Sequence, residues 1–121
     1  MRWLVDGMNV VGSKPDGWWR DRRGAMRTLV ERLEEFARST DDEVAVVFDG
    51  RPFELDGDGL VEVAFAPGGR NAADYAIAEW VEGDDDPGSI TVVSSDGELV
   101  DRVRTAGAEV VPAGSFRSRL G

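Results

Sequence analysis

The sequence predicts an α/β domain built on a parallel sheet, and three observations carry that reading. Trp3-Leu4-Val5, Val44-Ala45-Val46-Val47-Phe48 and Ile90-Thr91-Val92-Val93 are short apolar runs, as strands buried on both faces of a parallel sheet are. Between them lie stretches whose apolar residues recur at helical spacing. Each run also stops at an acid, in Asp6-Gly7, Asp49-Gly50 and Ser94-Ser95-Asp96-Gly97. At 121 residues one domain is expected over 1–121, with roughly two thirds of its unfolded surface buried and no need of a disulfide or structural metal.

Residues 1–6 are expected to form the first strand, with Gly7 letting the backbone turn sharply away from Asp6. Residues 12–23, punctuated by Pro15 and Gly17, read as a loop. Ala25, Leu29, Leu33 and Phe36 predict an amphipathic helix over 24–39, and Asp41 and Asp42 sit in the turn beyond it. A second strand over 44–48 leads to a Pro- and Gly-bearing loop over 51–59 and a third, edge strand over 60–65. Pro67-Gly68-Gly69-Arg70 is a turn and Asn71 an N-cap. The helix it opens runs to about Glu82, with Ala73, Ile77, Trp80 and Val81 facing inward. Asp84-Asp85-Asp86-Pro87-Gly88 breaks the chain before the fourth strand over 90–93. Leu99, Val100 and Val103 mark a helix that stops at Gly107. Ala108 to Val111 is a last short strand, and 112–121 a tail ending in a helical turn.

Strands alternating with helices imply right-handed crossovers. Runs one, two and four are the apolar ones and belong at the centre, which the order 3-2-1-4-5 satisfies. That order puts the topological switch between strands one and four, where open α/β sheets bind ligands. Asp6 and Asp96 become neighbours across it, with Asp49 one strand over at the same end.

The chain has no cysteine and no histidine, so zinc, iron–sulfur and Cys–His or Ser–His–Asp chemistry are excluded. The N-terminus has no basic segment followed by a long apolar stretch, so a cytoplasmic location with no membrane contact is expected. A net charge of -10 argues mildly against nucleic-acid binding, yet all but one of the 14 cations are arginine, the residue suited to phosphate. Many of these stand in loops: Arg20, Arg22 and Arg23, then Arg51 and Arg70.

Each acid has a structural reading of its own. Asp96 would cap its helix, Asp74 would favour the first turn of its helix, and Asp6-Gly7 and Asp49-Gly50 would be turns. Together they crowd negative charge with no Lys or His nearby, which is costly unless a cation neutralises it. Hard divalent cations prefer oxygen ligands, so the cluster points to a Mg²⁺ or Mn²⁺ centre acting on phosphodiesters.

Val5-Asp6-Gly7-Met8-Asn9-Val10-Val11-Gly12, Val47-Phe48-Asp49-Gly50, Asn71-Ala72-Ala73-Asp74-Tyr75-Ala76-Ile77 and Val93-Ser94-Ser95-Asp96 resemble, in order, the signatures of NYN domains. These are PIN-like metal-dependent ribonucleases, and the chain is most similar to their YacP-type bacterial branch. The resemblance implies a PIN-like fold and endonucleolytic cleavage of RNA, on or off the ribosome. It implies Asp6, Asp74 and Asp96 as metal-binding acids, Asp49 as a further acidic position and Asn9 as the polar residue of the first motif. One or two ions of Mg²⁺ or Mn²⁺ would serve, activating water without a histidine base. Ser94 and Ser95 are expected to orient ligands through a second layer of hydrogen bonds, with Asn9. Lys14, Trp18 and Arg20, with Trp19 beside them, are expected to stack a base and hold the RNA backbone together with Arg51 and Arg70, although one tryptophan would equally plug the core edge. The strong negative charge implies that productive RNA binding needs divalent cations or a basic partner.

Other α/β readings fit poorly. A HAD-type phosphatase needs a second Asp two residues after Asp6, where Met8 stands. A receiver domain needs a lysine at its last strand, and the only lysine is Lys14. Gly7 to Gly12 does not supply the G-x-G-x-x-G of a dinucleotide site. The serious alternative is a non-catalytic PIN-like module that docks on RNA or protein.

Overall fold

The structure, a computed structural model, describes residues 1–55 and 57–121; Asp56, within the predicted loop 51–59, lies outside the described residues. Five strands form one sheet: β1 (Arg2–Asp6), β2 (Glu43–Asp49), β3 (Val61–Ala66), β4 (Ile90–Val93) and β5 (Glu109–Val111). All pairings are parallel and the order is β3-β2-β1-β4-β5, as the burial argument requires. The helices are α1 (Gly7–Val11), α2 (Arg22–Thr40), α3 (Ala72–Glu82), α4 (Gly97–Thr105) and α5 (Ala113–Leu120).

Strand alternation sorts the core into two layers. Trp3 and Val5 of β1 with Val44, Val46 and Phe48 of β2 pack against α1, α2 and α5. Leu4 and Val47 point the other way, against Ala73, Ile77 and Val81 of α3 and Leu99 and Val103 of α4. By the same alternation Asp6 and Asp49 stand on the α3–α4 side at the carboxyl ends of their strands.

Three expectations need correction. Residues after Asp6 do not leave in a simple turn: Gly7–Val11 coil at once into α1, burying Val10 and Val11. Gly7 is there for space, since a Cβ would overlap the Phe48 ring and come within 3.0 Å of Val46 Cγ2. The C-terminal residues are more than a tail. Helix α5 inserts Phe116, fully buried, between Trp3 and Phe36, with ring centroids 5.3 Å from each. Ala113, Phe116 and Leu120 share the i, i+3, i+7 spacing of a buried helix face. Finally, Asn71 occupies the N-cap position of α3 in the left-handed region (φ 67°), but its side chain makes no cap hydrogen bond.

Candidate metal and phosphodiester site

The register of the sheet places the site. Val5 of β1 pairs with Val93 of β4, so the next residues, Asp6 and Ser94, face each other across the switch point. The Ser94 hydroxyl donates to Asp6 Oδ2 at 2.9 Å and accepts from the Asp96 N–H at 3.1 Å. Both Asp6 and Ser94 are buried, at 3% and 1% exposure. Asp6 is formally the N-cap of α1, yet its carboxylate does not cap that helix.

The other acids arrive by different routes. Asp49 ends β2 and accepts the Ala73 N–H at 2.9 Å, so it supplies the α3 cap that Asn71 was expected to give. Asp74 stands in the first turn of α3, near enough for its charge to act on Asp6. Asp96 caps α4 by accepting the Leu99 N–H at 3.0 Å, as predicted. Asp49 and Asp96 thus each satisfy a helix end with Oδ1, and Oδ2 makes no hydrogen bond among the described residues.

Four carboxylates therefore stand on one side of the switch point, near enough to act on one another through their charges. Burial pushes the Asp6 carboxyl up to about 7; the Ser94 hydrogen bond opposes this, while the charges of Asp74, Asp49 and Asp96 add to it. Burial likewise raises Asp74 to about 6, helped by Asp96, Asp49 and Glu98. Among the described residues neither Asp6 nor Asp74 has a basic partner. The donor set is all oxygen and short of positive charge, which suits a hard divalent cation. No group of three acidic side chains among the described residues forms a ready-made cage. Mg²⁺, however, commonly takes only one or two carboxylates and completes its shell with waters and phosphate.

Asn9, on α1, accepts the Ser95 N–H at 2.8 Å through Oδ1, and its amide N–H groups make no hydrogen bond among the described residues. Ser95 Oγ in turn accepts the Ala113 N–H at 2.9 Å, tying the site to α5. The predicted cations do not join the cluster: Lys14 is exposed after α1, Arg20 ends a short 3-10 helix over Trp18–Arg20 within the predicted loop, and Arg51 and Arg70 are exposed in the segments after β2 and β3. Of the two tryptophans, Trp18 packs on the core beside Val10 and Leu29, and Trp19 stays 55% exposed. A small cavity of about 90 Å³ opens beside the carboxylates between α3 and α4, lined by Asn71, Asp74, Tyr75, Asp96, Glu98 and Arg102. A larger hollow of about 560 Å³ lies at the opposite ends of the strands, against Arg2, Glu43, Glu62 and Trp80, and holds none of the four carboxylates.

Sequence reasoning missed Glu98 and Tyr75. Glu98 lies only two residues beyond Asp96, a spacing that marks it in retrospect. Tyr75 follows Asp74 and is 61% exposed, and its neighbour was the signal.

A parallel sheet in this order, with acids gathered over its switch point, defines the chain as a PIN-like domain. Within that class it belongs to the YacP-like NYN domain family, a family of PIN-like ribonucleases, which matches residues 3–121. The crystal structure of Rae1 (YacP) from Bacillus subtilis superposes with a TM-score of 0.81 at 24% identity, over 99% of this chain and 73% of that one. A tryptophan-to-leucine mutant of the same protein gives 0.79 at 25% identity, over 99% and 74%. No curated protein sequence matches the chain. No helix among the described residues is long and apolar enough to cross a membrane.

Proposed function

We propose that the chain is a divalent-metal-dependent endoribonuclease that hydrolyses RNA phosphodiester bonds over Asp6 and Asp74. The observation that carries this reading is Asp6: a carboxylate buried to 3% exposure, beside Asp74 and with no basic partner among the described residues. Such a group is costly to a fold that has no use for it. A bound Mg²⁺ or Mn²⁺ would supply an activated water and offset charge on the phosphate, chemistry suited to a chain without histidine.

The remaining roles fall to the chain's own residues. Asp6 and Asp74 hold the cation, and Asp49 and Asp96 strengthen the negative field while keeping the starts of α3 and α4 in place. Ser94 fixes the Asp6 rotamer and links it to the Asp96 backbone. Asn9, braced by Ser95, turns amide donors toward the phosphate. Lys14, Arg20, Arg51 and Arg70 hold the RNA backbone, and the exposed Trp19, with Trp18 as its support, offers a stacking face.

The test is incubation of a labelled single-stranded RNA with the protein in Mg²⁺, Mn²⁺ or EDTA. Internal cuts that appear only with the cation support the reading. RNA that is bound but never cut would leave a non-catalytic PIN-like module in its place.

A further inference from the structure

The arginines that have carboxylate partners, Arg2, Arg38, Arg102 and Arg117, are bound to Asp84, Asp58, Glu82 and Asp16. Arg22, Arg23 and Arg27 make no such pair among the described residues, and all three are exposed on the first two turns of α2. Arg23 and Arg27 are four apart, hence on one helix face. Their guanidinium carbons lie 4.6 and 5.4 Å from the centre of the Phe53 ring. Phe53 rests on Phe65 at 5.5 Å, and Phe65 on Phe48 at 6.0 Å, so the platform stands on the strand that ends in Asp49. Arg22 closes the gap, donating from Nη2 to the Asp49 carbonyl at 3.3 Å. A guanidinium near an aromatic ring sheds rotamer freedom yet keeps its in-plane N–H edge for phosphate oxygens. The opposite flank is charge-balanced: on α4 Glu98 and Asp101 stand exposed beside Arg102 and Arg104, and Arg102 is already bound to Glu82.

From this asymmetry we infer that Arg22, Arg23, Arg27 and Phe53 form a rail along which a single-stranded RNA runs to or from the carboxylates, over the β3 edge and not over α4. The inference rests on the ribonuclease reading and adds the path of the strand. It also bears on how a chain of net charge -10 takes a polyanion: three arginines without a carboxylate partner among the described residues stand together on one flank of the site.

The experiment measures fluorescence anisotropy of a labelled oligouridylate from low to moderate salt, with Ca²⁺ at a fixed concentration in place of Mg²⁺ and Mn²⁺ so that the carboxylates are neutralised, and again in EDTA. It compares wild type, the Arg23→Glu/Arg27→Glu pair, Arg23→Glu alone, and Arg104→Glu, which matches that single change in charge on exposed α4. Each phosphate contact on a single strand adds about 0.7 to the slope of log affinity against log salt, so losing two lowers it by about 1.4. We expect the pair to bind about tenfold more weakly or worse with that smaller slope, and Arg104→Glu to stay within about twofold. An Arg23→Gln/Arg27→Gln pair should move the same way if charge reversal disturbs α2. A wild-type slope in both pairs, an equal loss in Arg104→Glu and Arg23→Glu, or no binding by wild type overturns the rail. A parallel cleavage assay in Mg²⁺ separates the two readings. Wild type that cuts RNA while the pairs keep its slope defeats the rail alone. A slope that falls in a protein that never cuts defeats the nuclease reading alone.

Discussion

Asp6→Asn should make the metal-free protein more stable at alkaline pH, and the size follows from the site. Asn keeps the shape and can still accept the Ser94 hydroxyl, but it removes the buried charge. In the wild type the folded carboxyl titrates at about 7 against an ordinary 3.8. Because the folded state holds this proton more tightly than the unfolded chain, stability is greatest at low pH. This contribution falls as the pH climbs from about 4 and is gone above about 7. The distance from 3.8 to about 7, at about 1.4 kcal/mol for each tenfold change in proton affinity, sets a loss of about 4 kcal/mol. The Asn variant should lack this slope. Urea unfolding in EDTA at about pH 5 and about pH 8.5 reads the difference directly. Added Mg²⁺ should restore the wild type at the higher pH and move the variant, which keeps Asp74, much less. Parallel pH dependence in the two proteins would refute the claim that Asp6 is a buried, uncompensated carboxylate.

Other substitutions probe the frame around the site. Gly7→Ala drives a methyl into the Phe48 ring and should cost about 1–3 kcal/mol, or more, in thermal unfolding; a wild-type melting curve would contradict this packing. Asp49→Ala removes the cap on Ala73 and should speed amide exchange at the start of α3, at a cost of about 1 kcal/mol; Asp49→Asn should largely keep the protection. Phe116→Ala empties a fully buried aromatic site and should lose about 3–5 kcal/mol, where a true tail residue would lose almost nothing.

How much was legible in the sequence follows from where each signal resides. The central strands declare themselves because burial on both faces forces runs such as Val44 to Phe48, and ranking runs by apolarity also gives the sheet order. The gathering of Asp6, Asp49 and Asp96 then follows from parallel strands ending at one edge. Helix α1 was illegible because five residues cannot display a 3.6-residue period. Gly7 has the look of a turn glycine, and only the Phe48 ring packed against it reveals the steric reason. The capping of α3 was misassigned because its donor is satisfied by Asp49, 24 residues earlier, and no local pattern encodes a partner across the sheet. Trp18 and Trp19 are chemically alike, and only the packing of the preceding loop decides which ring goes in. The α5 face was readable at Ala113, Phe116 and Leu120, but three apolar positions among polar ones are faint in a terminal segment.

The central claim is that Asp6 belongs to the centre that cuts RNA. It is tested most directly by cleavage of one labelled single-stranded RNA in Mn²⁺ by wild type and Asp6→Asn side by side, with folding of both verified by circular dichroism. The wild type should make internal cuts, none of them in EDTA, and the variant should lose at least about a hundredfold. Cutting that survives undiminished in a folded Asp6→Asn protein would remove Asp6, and the site built around it, from the chemistry.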